Sequence, residues 1–181
     1  MSKTKKTKYK TGFTMVELLV SISLFSLVIT ALFNLFNSAL LSQEKSLNSI
    51  YLLDSASFLS ERLSRSLRMA RKDVEGVCIA EKANFEQTSS SNIKFLSHSG
   101  ECWEFFLQDG VLMEKRGSST QALSPDNITV QNLNFHLSGE TQDDFIQPKV
   151  TISFKLKNNY GSSEEITVQT TVSQRQIDAA Y

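Results

Sequence analysis

Gly12-Phe13-Thr14-Met15-Val16-Glu17-Leu18-Leu19-Val20 joins a lysine-rich head to a long apolar run, and its one acid, Glu17, stands where an apolar segment should have none. From Leu18 through Gln43 there is no charged side chain, and Leu, Val, Ile, Phe, Ala and Ser dominate. At ~1.5 Å per residue this stretch makes ~39 Å of helix, enough to cross a hydrocarbon core of ~30 Å with some tilt. Lys3, Lys5, Lys6, Lys8 and Lys10 precede it with no acid among them. The positive-inside bias keeps that head in the cytoplasm and sends everything after about Gln43 outside.

An ordinary secretory signal is cut beyond its apolar region at a small-x-small site. Phe36-Asn37-Ser38-Ala39-Leu40-Leu41-Ser42 puts bulky residues where such a site needs small ones. Gly12, the last residue before the apolar run, instead admits a protease at the cytoplasmic boundary. A cut there removes the lysines and leaves the span attached. The new amino group on Phe13 then lies four residues from Glu17, one helical turn away on the same face. Taken alone, Glu17 also suits a plain helix start, where the macrodipole favours a carboxylate by about 0.3–1 kcal/mol.

With these residues in this order, the N-terminus resembles the class III signal of type IV prepilins and pseudopilins. A basic leader ends in Gly12, the mature chain begins at Phe13, and Glu17 occupies the fifth mature position. The resemblance covers the leader and the span only. It implies removal of residues 1–12 by a membrane-embedded prepilin peptidase and methyltransferase, with N-methylation of Phe13. It further implies an inner-membrane assembly platform on which the helix packs, out of lipid, against other major and minor pilins or pseudopilins. In that packing Glu17 pairs with the N-terminal amine of an adjoining subunit. The rival reading is a membrane-anchored extracytoplasmic binding protein that keeps its leader and never polymerises.

Beyond the span the helical pattern becomes amphipathic. Leu52, Ala56, Leu59, Leu63, Leu67 and Ala70 recur at spacings of three and four and form one stripe. No proline interrupts Phe13 through Lys72, so one rod of ~90 Å is expected. Asn34 and Asn37 are weak helix formers and are expected to loosen it locally. Arg62, Arg65, Arg68 and Arg71 step by three along the wet side of its second half. They read either as a solvated face or as guanidiniums that meet acids of neighbouring subunits.

From Val74 onward the period becomes that of strands. Val77–Ala80, Ile93–Leu96, Cys102–Leu107, Val111–Lys115, Ile128–Val130, Leu133–Leu137, Val150–Leu156 and Ile166–Val172 are the apolar or alternating runs. His98-Ser99-Gly100-Glu101 and Asp109-Gly110 read as hairpin turns, and residues 158–163 connect the last two strands. Alternation means that one sheet face is buried, and the amphipathic helix is its natural cover. The expected fold is α+β, a long N-terminal helix packed on an antiparallel sheet. Its parts are a cytoplasmic leader (1–12), a transmembrane helix (13–43), an amphipathic extension of that helix (44–73) and an extracytoplasmic β domain (74–181). Arg65–Ala70, Phe106–Leu112, Gln147–Ile152 and Thr170–Arg175 also resemble the PilW and pseudopilin J types of minor subunit.

Cys78 and Cys102 are the only cysteines, both on the exported side, where an oxidising compartment lets them form a disulfide; the alternative is two buried thiols. The precursor balances 19 basic against 19 acidic residues, and loss of the leader leaves 14 against 19. That argues against nucleic-acid binding, which wants a clustered basic face. His98 and His136 fall in different hairpins without metal-ligand spacing, and no nucleophile elbow, phosphate loop or Cys-x-x-Cys occurs. No catalytic residue, cofactor or metal is expected. Glu140 with Asp143 and Asp144, or Asp126 with Asn127, could offer oxygen ligands to calcium but lack the alternation of a calcium loop, and they read as polar turns.

Overall fold

The computed structural model describes residues 12–140, 146–159 and 164–175. Helix α1 runs Met15–Arg68. Thr14 caps its start: the Glu17 backbone N–H donates to Thr14 Oγ1 (3.3 Å), and the Leu18 N–H donates to the Thr14 carbonyl (3.2 Å). The first of these bonds meets one of the donors that a helix start leaves unpaired, and the second is the first regular bond of the helix. The cap corrects the expectation for Phe13. Phe13 and Thr14 precede the first helical turn, so helix geometry does not stack Phe13 over Glu17. The helix is continuous through Asn34 and Asn37, and the expected loosening does not occur. Hydroxyls in the apolar stretch bond within their own helix, Ser21 to the Glu17 carbonyl (2.7 Å), Ser26 to Ile22 (2.8 Å) and Thr30 to Ser26 (2.8 Å). Polar groups that would be costly in lipid are satisfied internally.

The chain divides into two compact units, Met1–Glu44 and Lys45–Tyr181. In the first, α1 is apolar and exposed, and it is the one helix among the described residues long and apolar enough to cross a membrane. In the second, the stripe Leu52, Ala56, Leu59, Leu63, Leu67 and Ala70 is wholly buried against strands. The helix ends at Arg68, short of the expected Lys72, because the next residues pair elsewhere. Arg71 N–H donates to the Leu96 carbonyl (2.9 Å) and Asp73 N–H to Ala83 (2.9 Å). The carbonyls at and just beyond the helix end are met by residues distant in sequence, Arg175 N–H on Arg68 O (2.8 Å) and Gln174 Nε2 on Ala70 O (2.9 Å).

The strands make two antiparallel meanders where one sheet was expected. The first holds β1 (Asn92–Leu96), β2 (Cys102–Gln108), β3 (Val111–Arg116) and β4 (Ser119–Ala122), in that order. The second holds β5 (Ile128–Ser138), β6 (Lys149–Asn158) and β7 (Glu165–Ser173). Backbone bonds stitch the two, Val130 N–H to Gly110 O (2.7 Å) and Phe135 N–H to Ser90 O (2.8 Å). Asp109 (φ 50°) and Gly110 (φ 78°) form the β2–β3 turn, and a Cβ on Gly110 would lie 2.9 Å from Thr129 Cγ2. That close approach needs glycine as much as the turn does. The runs Ile128–Val130 and Leu133–Leu137 merge into β5 around a bulge, with Asn132 at φ 50°. Val77–Ala80, expected as a strand, is a loop. The Asp73 carboxylate accepts N–H bonds from Val77 (3.0 Å), Cys78 (2.6 Å) and Ile79 (3.0 Å), which takes those donors away from any sheet.

Cys78 and Cys102 are bonded to each other, with Cα atoms 5.3 Å apart. The bridge ties this loop to the first residue of β2 and closes a sequence separation of 24. Closing a loop of that size restrains the unfolded chain by roughly 3 kcal/mol. Cys102→Ser is therefore expected to lower unfolding free energy by roughly 2–4 kcal/mol, read from denaturant midpoints of oxidised wild type and variant. An unchanged midpoint would mean that the Asp73 bonds alone hold the loop.

Candidate functional site

Two regions carry the residues singled out above. The first is the start of α1. Gly12, Phe13 and Glu17 are exposed, and Phe13 keeps 79% of its surface open. Nothing in the described residues covers the Gly12–Phe13 bond. Thr14-Met15-Val16-Glu17 has the Ser/Thr-x-x-Glu spacing of a capping box, with Thr14 as cap and Glu17 at the third helical position. That signal was readable in the sequence and gives Thr14 a part in fixing where the helix begins. The leader lysines Lys3, Lys5, Lys6, Lys8 and Lys10 lie outside the described residues.

The second region is the C-terminal end of α1, where the row of arginines is re-sorted. Arg62 leans inward, and its Nη2 donates to Glu114 Oε1 (2.7 Å). Glu114 is fully buried, and its other oxygen accepts from Arg116 Nη2 and from Gln121 Nε2, at 2.7 and 2.8 Å. Both guanidiniums also lie over the Trp103 ring, Arg62 at 5.3 Å and Arg116 at 4.5 Å from its centroid. Cross-strand register produces this cluster, since Trp103 pairs with Arg116 and Glu114 with Gln121. Arg65 is exposed and pairs with Glu61 one turn back. Arg68 is the last helical residue, and Arg71 lies beyond the helix, which corrects the expectation of four arginines on one helical face.

Electrostatics follow from these contacts. Burial pushes the Glu114 carboxyl up, but Arg116, Gln121 and Arg62 together bring it below the usual range. Asp73 behaves alike: burial raises it, and the N–H groups of Ile79, Cys78, Val77 and Gly76 outweigh that. Neither carboxylate was singled out from sequence. Glu114 sits in an alternating strand, where an acid reads as a solvent-facing residue.

Of the calcium candidates, Asp143 and Asp144 lie outside the described residues, as do residues 160–163 of the β6–β7 connection. Asn127 already accepts the Tyr51 hydroxyl on Oδ1 (2.7 Å). Among the described residues no group of three His, Cys, Asp or Glu side chains could hold a metal ion. His136 is exposed on β5, and His98 is exposed in the β1–β2 turn.

The prokaryotic N-terminal methylation motif matches residues 7–33, a segment that contains Gly12, Phe13, Glu17 and the first half of the apolar stretch. No curated protein and no solved structure matches the chain. The motif points to a structural subunit rather than an enzyme, and with the apolar helix it fits a chain anchored in the inner membrane. The match covers the leader and the start of the span alone, and over that segment it supports the resemblance to type IV prepilins and pseudopilins.

Proposed function

We propose that the chain is a minor pilin or pseudopilin, a structural subunit of a type IV pilus-like or type II secretion fibre. The methylation motif over residues 7–33 carries this reading, because its glycine, phenylalanine and glutamate fall where the helix begins. Prepilin peptidase cuts between Gly12 and Phe13, the new amine of Phe13 is methylated, and the assembly platform draws α1 from lipid into a bundle of like helices. Orientation follows the lysine head: N-terminus cytoplasmic, β domain periplasmic or extracellular. The Cys78–Cys102 bridge supports that orientation, since such bonds persist in oxidising compartments.

Assembly rather than chemistry is the mechanism. The exposed apolar face of α1 supplies packing area, and Glu17 supplies register, because a carboxylate in lipid is stabilised only where a cation meets it. Shearing fibres from the cells that make this chain provides the test. The chain should appear in the sheared fraction together with other subunits that carry the same N-terminal signal. Recovery solely from membranes, as single copies, would contradict the proposal and favour an anchored binding protein.

A further inference from the structure

Where α1 ends, the structure brings Arg175 beside Arg68 and Arg71, which the sequence keeps far from it. Arg68, Arg71, His98 and Arg175 line a hollow of about 520 Å³ together with Met69 and Ala70. Among the described residues no carboxylate pairs with Arg68, Arg71 or Arg175. A second hollow of about 320 Å³ adjoins it through Met69 and His98, and brings in Trp103, Arg65 and the hydroxyl-bearing turn residues Ser97 and Ser99. The helix dipole favours cations at this end, but only by about 0.3–1 kcal/mol for each exposed charge. Three guanidiniums held around one concavity repel one another, and an anion seated among them relieves that repulsion through charge-assisted hydrogen bonds.

We propose that this hollow seats one or two Asp or Glu side chains from an acidic segment of a neighbouring subunit in the same fibre. The proposal rests on the fibre-subunit reading above. Charge and size select the occupant. Without its leader the chain carries 14 basic against 19 acidic residues, so a long polyanion such as nucleic acid is repelled by the molecule as a whole. A short acidic segment feels mainly the hollow. Guanidinium forks match carboxylates in pairs, and Trp103 and the exposed Ser99 offer an apolar wall and a hydroxyl to the residues on either side.

The test places photoreactive p-benzoylphenylalanine at Met69, which borders both hollows, in the full-length chain made in its own cells. Assembled fibres are irradiated and the crosslinked peptides are mapped by mass. The expected product is an Asp- or Glu-containing peptide of another subunit with the same N-terminal signal. Arg68→Glu combined with Arg175→Glu should cut its yield by about tenfold or more. Reversing the crosslinked acid to Arg in the partner should restore it. If the doubly reversed variant loses the Cys78–Cys102 bridge, Arg71→Gln with Arg175→Gln must give the same loss. Crosslinks to this chain's own residues 176–181, to lipid, to nucleic acid or to nothing would overturn the proposal, as would a yield indifferent to charge. A chain that keeps its leader or never enters fibres would instead overturn the fibre reading. A chain that is cut at Phe13 and incorporated, but gives no such crosslink, would overturn the hollow alone.

Discussion

Glu17→Ala is expected to leave cleavage after Gly12 intact and to lower incorporation into fibres about a hundredfold. The magnitude follows from the cost of an unmatched charge. A carboxylate within a span costs roughly 2.5–3.5 kcal/mol, and in the assembled bundle the amine of a neighbouring Phe13 offsets it. Removing the carboxylate leaves that amine unpaired and removes the reward for correct register. The helix start is not at risk, because Thr14 provides the cap through its own hydroxyl and carbonyl. Glu17→Asp should recover part of the loss, since it keeps the charge on a shorter arm. The measurement is the ratio of chain in sheared fibres to chain in membranes, and a wild-type ratio for Glu17→Ala would remove Glu17 from assembly.

Glu114→Gln is expected to cost about 3 kcal/mol of folding stability. Breaking a buried ion pair from one side costs about 3–5 kcal/mol, and the lower end applies because Arg62 and Arg116 both reach solvent and can partly rehydrate. The loss falls on the junction of α1 with the first sheet, where Arg62, Trp103, Glu114 and Arg116 meet. The sign of its pH dependence is fixed by the direction of the shift. A folded-state carboxyl held below its unfolded value of about 4.3 adds stability above that value, and the gain disappears as pH falls through the folded value. Asp73 works in the same direction. The gap in melting temperature between wild type and Glu114→Gln should be widest near neutrality and close below about pH 4. A gap that widened in acid would contradict a lowered Glu114.

Features written in local periodicity were legible. Leu52 through Ala70 repeat at helical spacing and are buried as one stripe, and Val150–Leu156 and Ile166–Val172 alternate and became β6 and β7. The Gly12, Phe13 and Glu17 pattern was legible because identity, spacing and flanking charge agree within a few residues. Features set by distant partners were not. β4 is exposed along its length and has no apolar signal, so only its pairing with β3 defines it. Val77–Ala80 is apolar enough for a strand, yet the Asp73 carboxylate claims its amides. The division into two sheets rests on which strands pair, and bonds such as Val130 to Gly110 then join them across long stretches of sequence. Arg175 meets Arg68 across more than half the chain, and no window of sequence holds both.

The most direct test of the central claim is the mass of the N-terminal peptide from membrane-extracted protein made in its own cells. The account predicts a peptide that begins at Phe13 and carries one added methyl group. A peptide that begins near Met1, with Lys3 to Lys10 retained, would contradict it and leave an anchored protein that never enters a fibre.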